Sequence, residues 1–500
     1  MSNDIFSDYI KKQRERPAAP EAPRETEVLL KEISGKLDLL SASGPDCQVD
    51  LAIVNGSVVL PGNGIFKTNV YIKGGKVYSL GDLPGVRAAR TVDAAGKFVA
   101  PGIIDPHVHL GLFAPMREEL DTETRSALMG GVTTAGCYFG GVESHFSTFP
   151  PIAEEINRRS FIDIIPHLVI GTDEQRREIG DYIRHFGVTS FKVYMNGIPG
   201  MIGDVDDGFI MDVLGELNKS DKKCILCTHA ENRDLIRRAN RIIKEEKGDG
   251  ATVRDWTDTH PDMAEEEAVI RLSFLAEKSG TPVYFVHISS RNAINKLKSI
   301  KQRSKYIHIE TTSPYLSVTR DAPMNNRIKM EPPFRDPEDV EALWNAVQSG
   351  VVDTIGTDNV TMTLAEKNIG GSIWSAMPGY PAVGTHLPVV LHEGVVKRGV
   401  PLDLVIGLMT KNPAEIFGVY PRKGTLLPGS DADVVVIDMN LEKEVKAEEC
   451  GSRSDFSLYE GKRLTGWPVF TVKGGEIVAE NGRCVAAGPG GRCLYRGQTE

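Results

Sequence analysis

The pair His107-Val108-His109 closes the apolar run Val99-Ala100-Pro101-Gly102-Ile103-Ile104-Asp105-Pro106. Side chains alternate faces along a strand, so imidazoles at i and i+2 point the same way. At the end of an apolar strand they make half of a metal site. The plain alternative is a chance pair on an exposed strand, in a chain with 11 His among 500 residues. Further along, other apolar runs also end in polar, metal-capable residues. Lys192 lies in Ser190-Phe191-Lys192-Val193-Tyr194, His229 follows Cys224-Ile225-Leu226-Cys227-Thr228, and His287 follows Pro282-Val283-Tyr284-Phe285-Val286. Asp358 follows Val352-Asp353-Thr354-Ile355-Gly356-Thr357. One strand-end histidine is ordinarily a satisfied structural residue; several in one chain point to a shared site. His107, His109, His229, His287 and Asp358 offer nitrogen and oxygen donors suited to zinc or a similar divalent ion, without the thiols of a structural finger. Lys192 is the odd member. An ammonium would repel cations, so the residues alone read it as a structural or substrate-binding charge.

The elements that must position these residues alternate strand and helix over residues 99–424. Further strand candidates are Ile164-Ile165-Pro166-His167-Leu168-Val169-Ile170 and Tyr306-Ile307-His308-Ile309-Glu310, with helical patterns at 263–278 and 336–348. The pattern predicts an α/β fold, a (β/α)8 barrel of the TIM type, whose strand C-termini converge over one mouth. The rival is an open doubly wound sheet, but no Gly-rich phosphate loop follows a strand. Short strands separated by turns such as Asn55-Gly56 and Gly74-Gly75 fill 47–98, and the same texture returns over 425–487. Both ends of the chain are therefore expected to build one small β-sandwich. Residues 1–46 read as an extension: a charged, Pro-rich linker, then a short amphipathic helix marked by Leu30, Ile33, Leu37 and Leu40. Residues 488–500 form a tail, expected to reach a neighbouring subunit.

A net charge of −10 with no basic stripe excludes a nucleic-acid binder. No run of about 18 apolar residues is present, so no membrane span is expected. The start carries no basic region leading into an apolar core, so no secretory signal is expected. The 7 Cys are scattered and odd in number, which points to the reducing cytoplasm. Cys224 and Cys227 form a C-x-x-C, but within an apolar run and with no second pair, so core packing is the expected role.

A set of ordered motifs extends this picture. They include Pro101 through His109, Gly130-Gly131-Val132-Thr133-Thr134, Phe191-Lys192-Val193-Tyr194-Met195, His229-Ala230-Glu231-Asn232 and Val286-His287-Ile288-Ser289-Ser290. Glu310-Thr311-Thr312-Ser313-Pro314-Tyr315-Leu316, Gly356-Thr357-Asp358, Asn412-Pro413-Ala414-Glu415-Ile416-Phe417-Gly418 and Gly466-Trp467-Pro468-Val469 follow. Together they resemble the amidohydrolase superfamily, specifically its hydantoinase/dihydropyrimidinase branch, over residues 48–497. The resemblance implies two divalent metal ions, zinc foremost, and a Lys192 carboxylated at its amine by CO2 so that it bridges them. His107, His109 and Asp358 would hold one ion, His229 and His287 the other. A bridging hydroxide would be the nucleophile, with Asp358 as general base and then acid. The implied substrate is a small cyclic amide or imide. By analogy the chain is a homo-oligomer, a tetramer or dimer.

Departures from the branch fall on the substrate side. Its usual Tyr five residues after the lysine is here Gly197, preceded by Asn196; Tyr380, from another loop, is the candidate replacement. Asn359 follows Asp358 where relatives carry His. Glu331 stands before Pro332-Pro333 in place of a Ser; it either favours a basic substrate group or simply pairs with Arg335 or Lys329. Gly111 stands where dihydroorotase- and allantoinase-like relatives place an Arg, which leads away from carboxylate-bearing rings. The rival functions are a non-catalytic scaffold like the dihydropyrimidinase-related proteins, which have lost metal ligands; an allantoinase- or dihydroorotase-like cyclic amidase; and a deaminase- or decarboxylase-type amidohydrolase, of which the mononuclear deaminases lack the bridging lysine.

Overall fold

The computed structural model describes residues 48–198 and 202–497. The extension expected at 1–46, with its amphipathic helix, lies outside the described residues. The middle of the chain forms the expected barrel. Its strands are β1 (Ile103–His109), β2 (Val132–Phe139), β3 (Asp163–Val169), β4 (Ser190–Tyr194), β5 (Ile225–His229), β6 (Val283–Phe285) and β7 (Ile307–Thr312). The eighth stave, β8, comes in two pieces, Thr354–Gly356 and Asn359–Val360, interrupted at Thr357 and Asp358. Every neighbour pairs in parallel, in sequence order. The first piece of β8 pairs with β7, and the second closes the ring on β1 through Asn359 with Val108 and Val360 with His109.

Strands buried on both faces read as unbroken apolar runs, and β2, β3, β4 and β5 are buried throughout. Helices with ordinary stop and start signals cover the outside. The helix Asp173–Phe186 opens with a Thr172/Gln175 capping box and ends at Gly187, φ 74°. The helix Pro337–Gln348 opens with an Asp336/Asp339 box and Pro at its first turn. Cys224 and Cys227 are buried and unpaired, in line with a packing role.

The β-sandwich is also present. A four-stranded sheet runs in the order Lys76–Leu80, Val70–Lys73, Gln48–Val54, Arg87–Asp93. A seven-stranded sheet joins strands from both chain ends, with Phe98–Pro101 set between Ser57–Leu60 and Val434–Glu444. Leu51, Ile53, Val70 and Ile72 of one sheet share a core with Val58, Val99, Val434, Val436 and Val472 of the other. The run 99–109 is therefore two strands, not one. It breaks at Gly102, where a Cβ would run into the Thr133 side chain.

The described part of the tail lies against its own barrel. Ile164 N–H donates to the Arg492 carbonyl (2.9 Å) and Leu494 N–H to the Ile164 carbonyl (2.8 Å). Leu494 joins Ile104, Ile165, Ile225 and Phe417 in the cluster that plugs the barrel floor. Beside it sits a buried ionic knot. Lys423 Nζ, 3% exposed, meets Asp163 Oδ2 (2.6 Å), Asp433 Oδ2 (2.7 Å) and Asp431 Oδ2 (3.0 Å). Lys473 adds a second cation on Asp163 at 3.0 Å. The knot ties a barrel strand to both ends of the sandwich. Burial alone would raise the Asp163 carboxyl, but Lys423 and Lys473 outweigh it and hold it at about 2. Its stabilising contribution is therefore complete above the unfolded value of about 3.9 and is lost as pH falls toward 2. Lys423→Met should remove the cation shared by three carboxylates, leaving Asp433 without an ion pair among the described residues and Asp163 with Lys473 alone, and cost about 3–5 kcal/mol in urea unfolding at neutral pH. Its acid unfolding should begin at higher pH than in the wild type.

Candidate metal centre

At the mouth of the barrel the strand ends converge. His107 and His109 leave β1 with their Nε2 atoms 3.2 Å apart. Asp358 Oδ1 lies 3.2 Å from His107 Nε2 and 3.3 Å from His109 Nε2. All three ligand atoms fall within 4.8 Å of one another. The His287 ring lies 5.4 Å from that of His107 and 4.5 Å from that of His229, centroid to centroid. Lys192, on β4, is fully buried among the Tyr138 and Tyr194 rings, its Nζ 4.7 and 4.9 Å from their centroids. Among the described residues, neither Lys192 Nζ nor His287 Nδ1 has a hydrogen-bond partner.

Such orphaned polar atoms are costly unless something binds there. The electrostatics fit a cation. Burial pushes His107 and His287 well below the ordinary histidine value, so both rings are neutral with a free lone pair. Burial pushes Lys192 down as well, to about 8. The Asp358 carboxyl is pushed up by burial, but His107, then the hydrogen bond and charge of His109, prevail and hold it at about 2. A compact carboxylate among imidazoles is a donor set that suits a divalent cation.

The backbone is bent to produce it. Asp358 (φ 56°) and His287 (φ 42°) occupy the left-handed region; every other described non-glycine residue there is Asn. Such conformations persist where the surroundings over-determine them. Here the surroundings are two buried carboxylates. Asp105 Oδ1 accepts the N–H groups of His107 and Thr357 (both 3.1 Å), and its Oδ2 accepts the Thr357 hydroxyl (2.6 Å). Asp358 N–H then donates to the His107 carbonyl at 2.9 Å. On β7, Glu310 Oε1 lies 2.9 Å from His107 Nδ1 and accepts His287 N–H at 3.1 Å. Burial pushes the Glu310 carboxyl up, to about 8, against hydrogen bonds from Tyr284 and His287. A third carboxylate, Glu231, meets His229 Nε2 at 2.7 Å. Asp105, Glu231 and Glu310 were not singled out from sequence. Their signal was a lone acidic residue inside, or just beyond, an otherwise apolar strand.

The amidohydrolase family profile matches residues 98–478. The chain belongs to that family. It is 30% identical over 455 residues to the L-hydantoinase of Paenarthrobacter aurescens (86% of this chain, 94% of the relative). It is 31% identical over 464 residues to the D-hydantoinase of Rhizobium radiobacter (90% and 99%). The dihydropyrimidinase structure from Brevibacillus agri superposes with a TM-score of 0.82 at 26% identity, covering 89% of this chain and 98% of the other.

The departures of this amidohydrolase from its branch each have a structural counterpart. Gly197 has φ 69°, and a Cβ there would lie 2.7 Å from Asp204 N and 3.0 Å from the Ile202 carbonyl. On this backbone path a side chain at 197 would run into the loop's own main chain. Asn196, beside it, is half-buried with a buried Oδ1 that has no partner among the described residues. Tyr380 is fully buried, stacked on Phe334 with centroids 5.6 Å apart, and its carbonyl accepts Val360 N–H at 3.0 Å. Asn359 Oδ1 accepts the N–H groups of Ala382 (2.8 Å) and Val383 (3.1 Å), a tether for that loop. Glu331 forms no ion pair with Arg335 or Lys329 among the described residues. Arg335 Nε instead donates to Ser289 Oγ (3.1 Å), and Lys329 Nζ donates to the Ile373 and Ala376 carbonyls (2.8 and 2.6 Å). Glu331 does raise the Lys329 pKa by its charge, against the larger lowering by burial. Gly111 has φ 79°, donates its N–H to Glu119 Oε2 (2.6 Å), and would meet Met116 Cε 2.8 Å from an added Cβ. Gly197→Ala should lower stability by about 1–2 kcal/mol from the left-handed conformation alone, measured by urea unfolding.

Proposed function

We propose that this amidohydrolase opens the ring of an uncharged cyclic amide or imide by hydrolysis, as a hydantoinase- or dihydropyrimidinase-like enzyme. The observation that carries this reading is the convergence of His107, His109 and Asp358 beside a buried Lys192 amine and a buried His287 Nδ1, both without partners. Two divalent ions, zinc foremost, fit this donor set: His107, His109 and Asp358 would hold one, His229 and His287 the other. Lys192 would stand between them after its neutral amine adds to CO2, forming an N–C bond and releasing one proton. When bound, such ions polarise a carbonyl and acidify water.

The chain's own groups do the rest. Asp358 takes the proton of the attacking water at its carboxylate. It then delivers that proton to the departing ring nitrogen. The buried walls around Lys192 exclude bulk water from the carbamate. At Gly111, Met116 occupies the space a longer side chain would need, so no cation waits there for a substrate carboxylate. Asn196, Gly197, Glu331 and Tyr380 belong to the substrate side of this reading. Among the described residues no helix is long and apolar enough to cross a membrane. A homo-oligomer working in the cytoplasm completes the proposal.

The test is a ring-opening screen of hydantoin, dihydrouracil, succinimide and dihydroorotate with the purified protein, beside metal analysis. We expect turnover of one or more of the first three, about two divalent ions per chain, and loss of both in Lys192→Ala. Full activity in Lys192→Ala would overturn the mechanism. Preferential opening of dihydroorotate would overturn the reading of Gly111.

A further inference from the structure

We infer that Glu310 is a positioning residue that couples the two halves of the metal centre, aligning His107 of one half and His287 of the other on a single carboxylate oxygen. The inference rests on the metal-binding reading above. Glu310 is fully buried at the end of β7. Its Oε1 lies 2.9 Å from His107 Nδ1 and accepts His287 N–H at 3.1 Å. Its Oε2 is engaged elsewhere, accepting the Tyr284 hydroxyl at 2.7 Å, and that hydroxyl lies 2.6 Å from Thr354 Oγ1. The division of labour is clear. One oxygen serves the two ligand residues, and the other anchors the carboxylate to the barrel wall.

Each contact has a consequence for a ligand. A hydrogen on His107 Nδ1, directed at Glu310, leaves the Nε2 lone pair facing His109 and Asp358, which is the tautomer that binds a cation. His287 sits at φ 42°, a conformation a histidine seldom takes without support. Its N–H bond to Oε1, together with the Ile288 N–H bond to the Glu310 carbonyl (2.9 Å), supplies that support. Without the carboxylate, the His107 ring loses its reason to prefer one face and the His287 backbone loses a restraint. Because one group holds both residues, filling one half of the site orders the other.

The experiment titrates the full-length protein, stripped with a chelator and re-dialysed, with Co2+, following calorimetry and the visible cobalt absorption. In the wild type we expect two ions to enter in one concerted phase. Glu310→Ala should weaken binding about 10–100-fold and split the titration into two phases with an altered cobalt spectrum. Two further variants separate position from charge. Glu310→Gln keeps an acceptor oxygen within reach of His107 and His287 and should retain most of the affinity. Glu310→Asp keeps the charge but withdraws the oxygen by one methylene, and should behave like the alanine variant. The Gln and Asp variants decide the matter even if Glu310→Ala does not fold. Tyr284→Phe, which touches only the other oxygen, should stay within a few-fold of wild type. Wild-type affinity in Glu310→Asp with loss in Glu310→Gln would overturn the inference, as would an unchanged Glu310→Ala. A wild type that binds no divalent ion would instead refute the metal centre itself.

Discussion

The seam between the first and last staves of the barrel is the constraint on which the rest depends. A closed barrel must join its ends, and here the join is made where the chemistry is. Asp105 grips the His107 and Thr357 N–H groups and the Thr357 hydroxyl, and Asp358 N–H returns to the His107 carbonyl. The stave is broken for two residues so that Asp358 can turn into the left-handed region and face the histidines. If β8 ran unbroken through that point, the alternation of side chains would place Asp358 by strand geometry alone. The break exchanges ladder hydrogen bonds for a side-chain clip, and the clip lets a ligand be placed independently of the pleat.

The same seam explains why so much polarity can be buried under the mouth. Isolated, each of Asp105, Asp358, Glu310, His107, His287 and Lys192 would be costly in the interior. Together they form a graded set. Asp358 remains ionised because imidazoles surround it. The histidines remain neutral because burial opposes a positive charge. Lys192, among aromatic faces and without a carboxylate in hydrogen-bond contact, is moved toward its neutral amine. A neutral amine is nucleophilic and an ammonium is not, so the apolar wall is itself part of the chemistry assigned to this residue.

The proposed ligands were legible in sequence because each interrupts an apolar run at a strand end. His107, His109, Lys192, His229, His287 and Asp358 are polar where the pattern calls for closure. The supporting carboxylates were not legible for a different reason. Glu310 meets His107 across 203 positions, and Asp105 meets Thr357 across 252. No local period reports such a partner. The break at Gly102 was hidden because both strands around it are apolar, although they belong to different sheets. The edge strands Gly64–Lys67 and Arg87–Asp93 escaped notice because they are largely exposed and carry no alternation of the kind that marks a half-buried strand. The tail strand is legible only once Ile164, more than three hundred residues earlier, is known to lie beside it.

The substrate side shows where a family pattern has been changed at the level of the backbone. Gly111 and Gly197 both follow ligand-bearing strands, both have positive φ, and both have a neighbour where a Cβ would go. Substituting the branch's usual Arg or Tyr at either place would require a new loop path, not just a new side chain. The two positions therefore describe one property of the mouth: neither glycine leaves room for a side chain, while the proposed metal ligands are all present. On the function proposed above, a site so shaped would recognise its substrate through other groups. The groups left to do so are the half-buried Asn196 amide, backbone N–H and carbonyl groups, and the shape of the loops tethered by Asn359. Recognition by shape and backbone suits the compact, uncharged ring proposed above, and it would follow from the same two glycines.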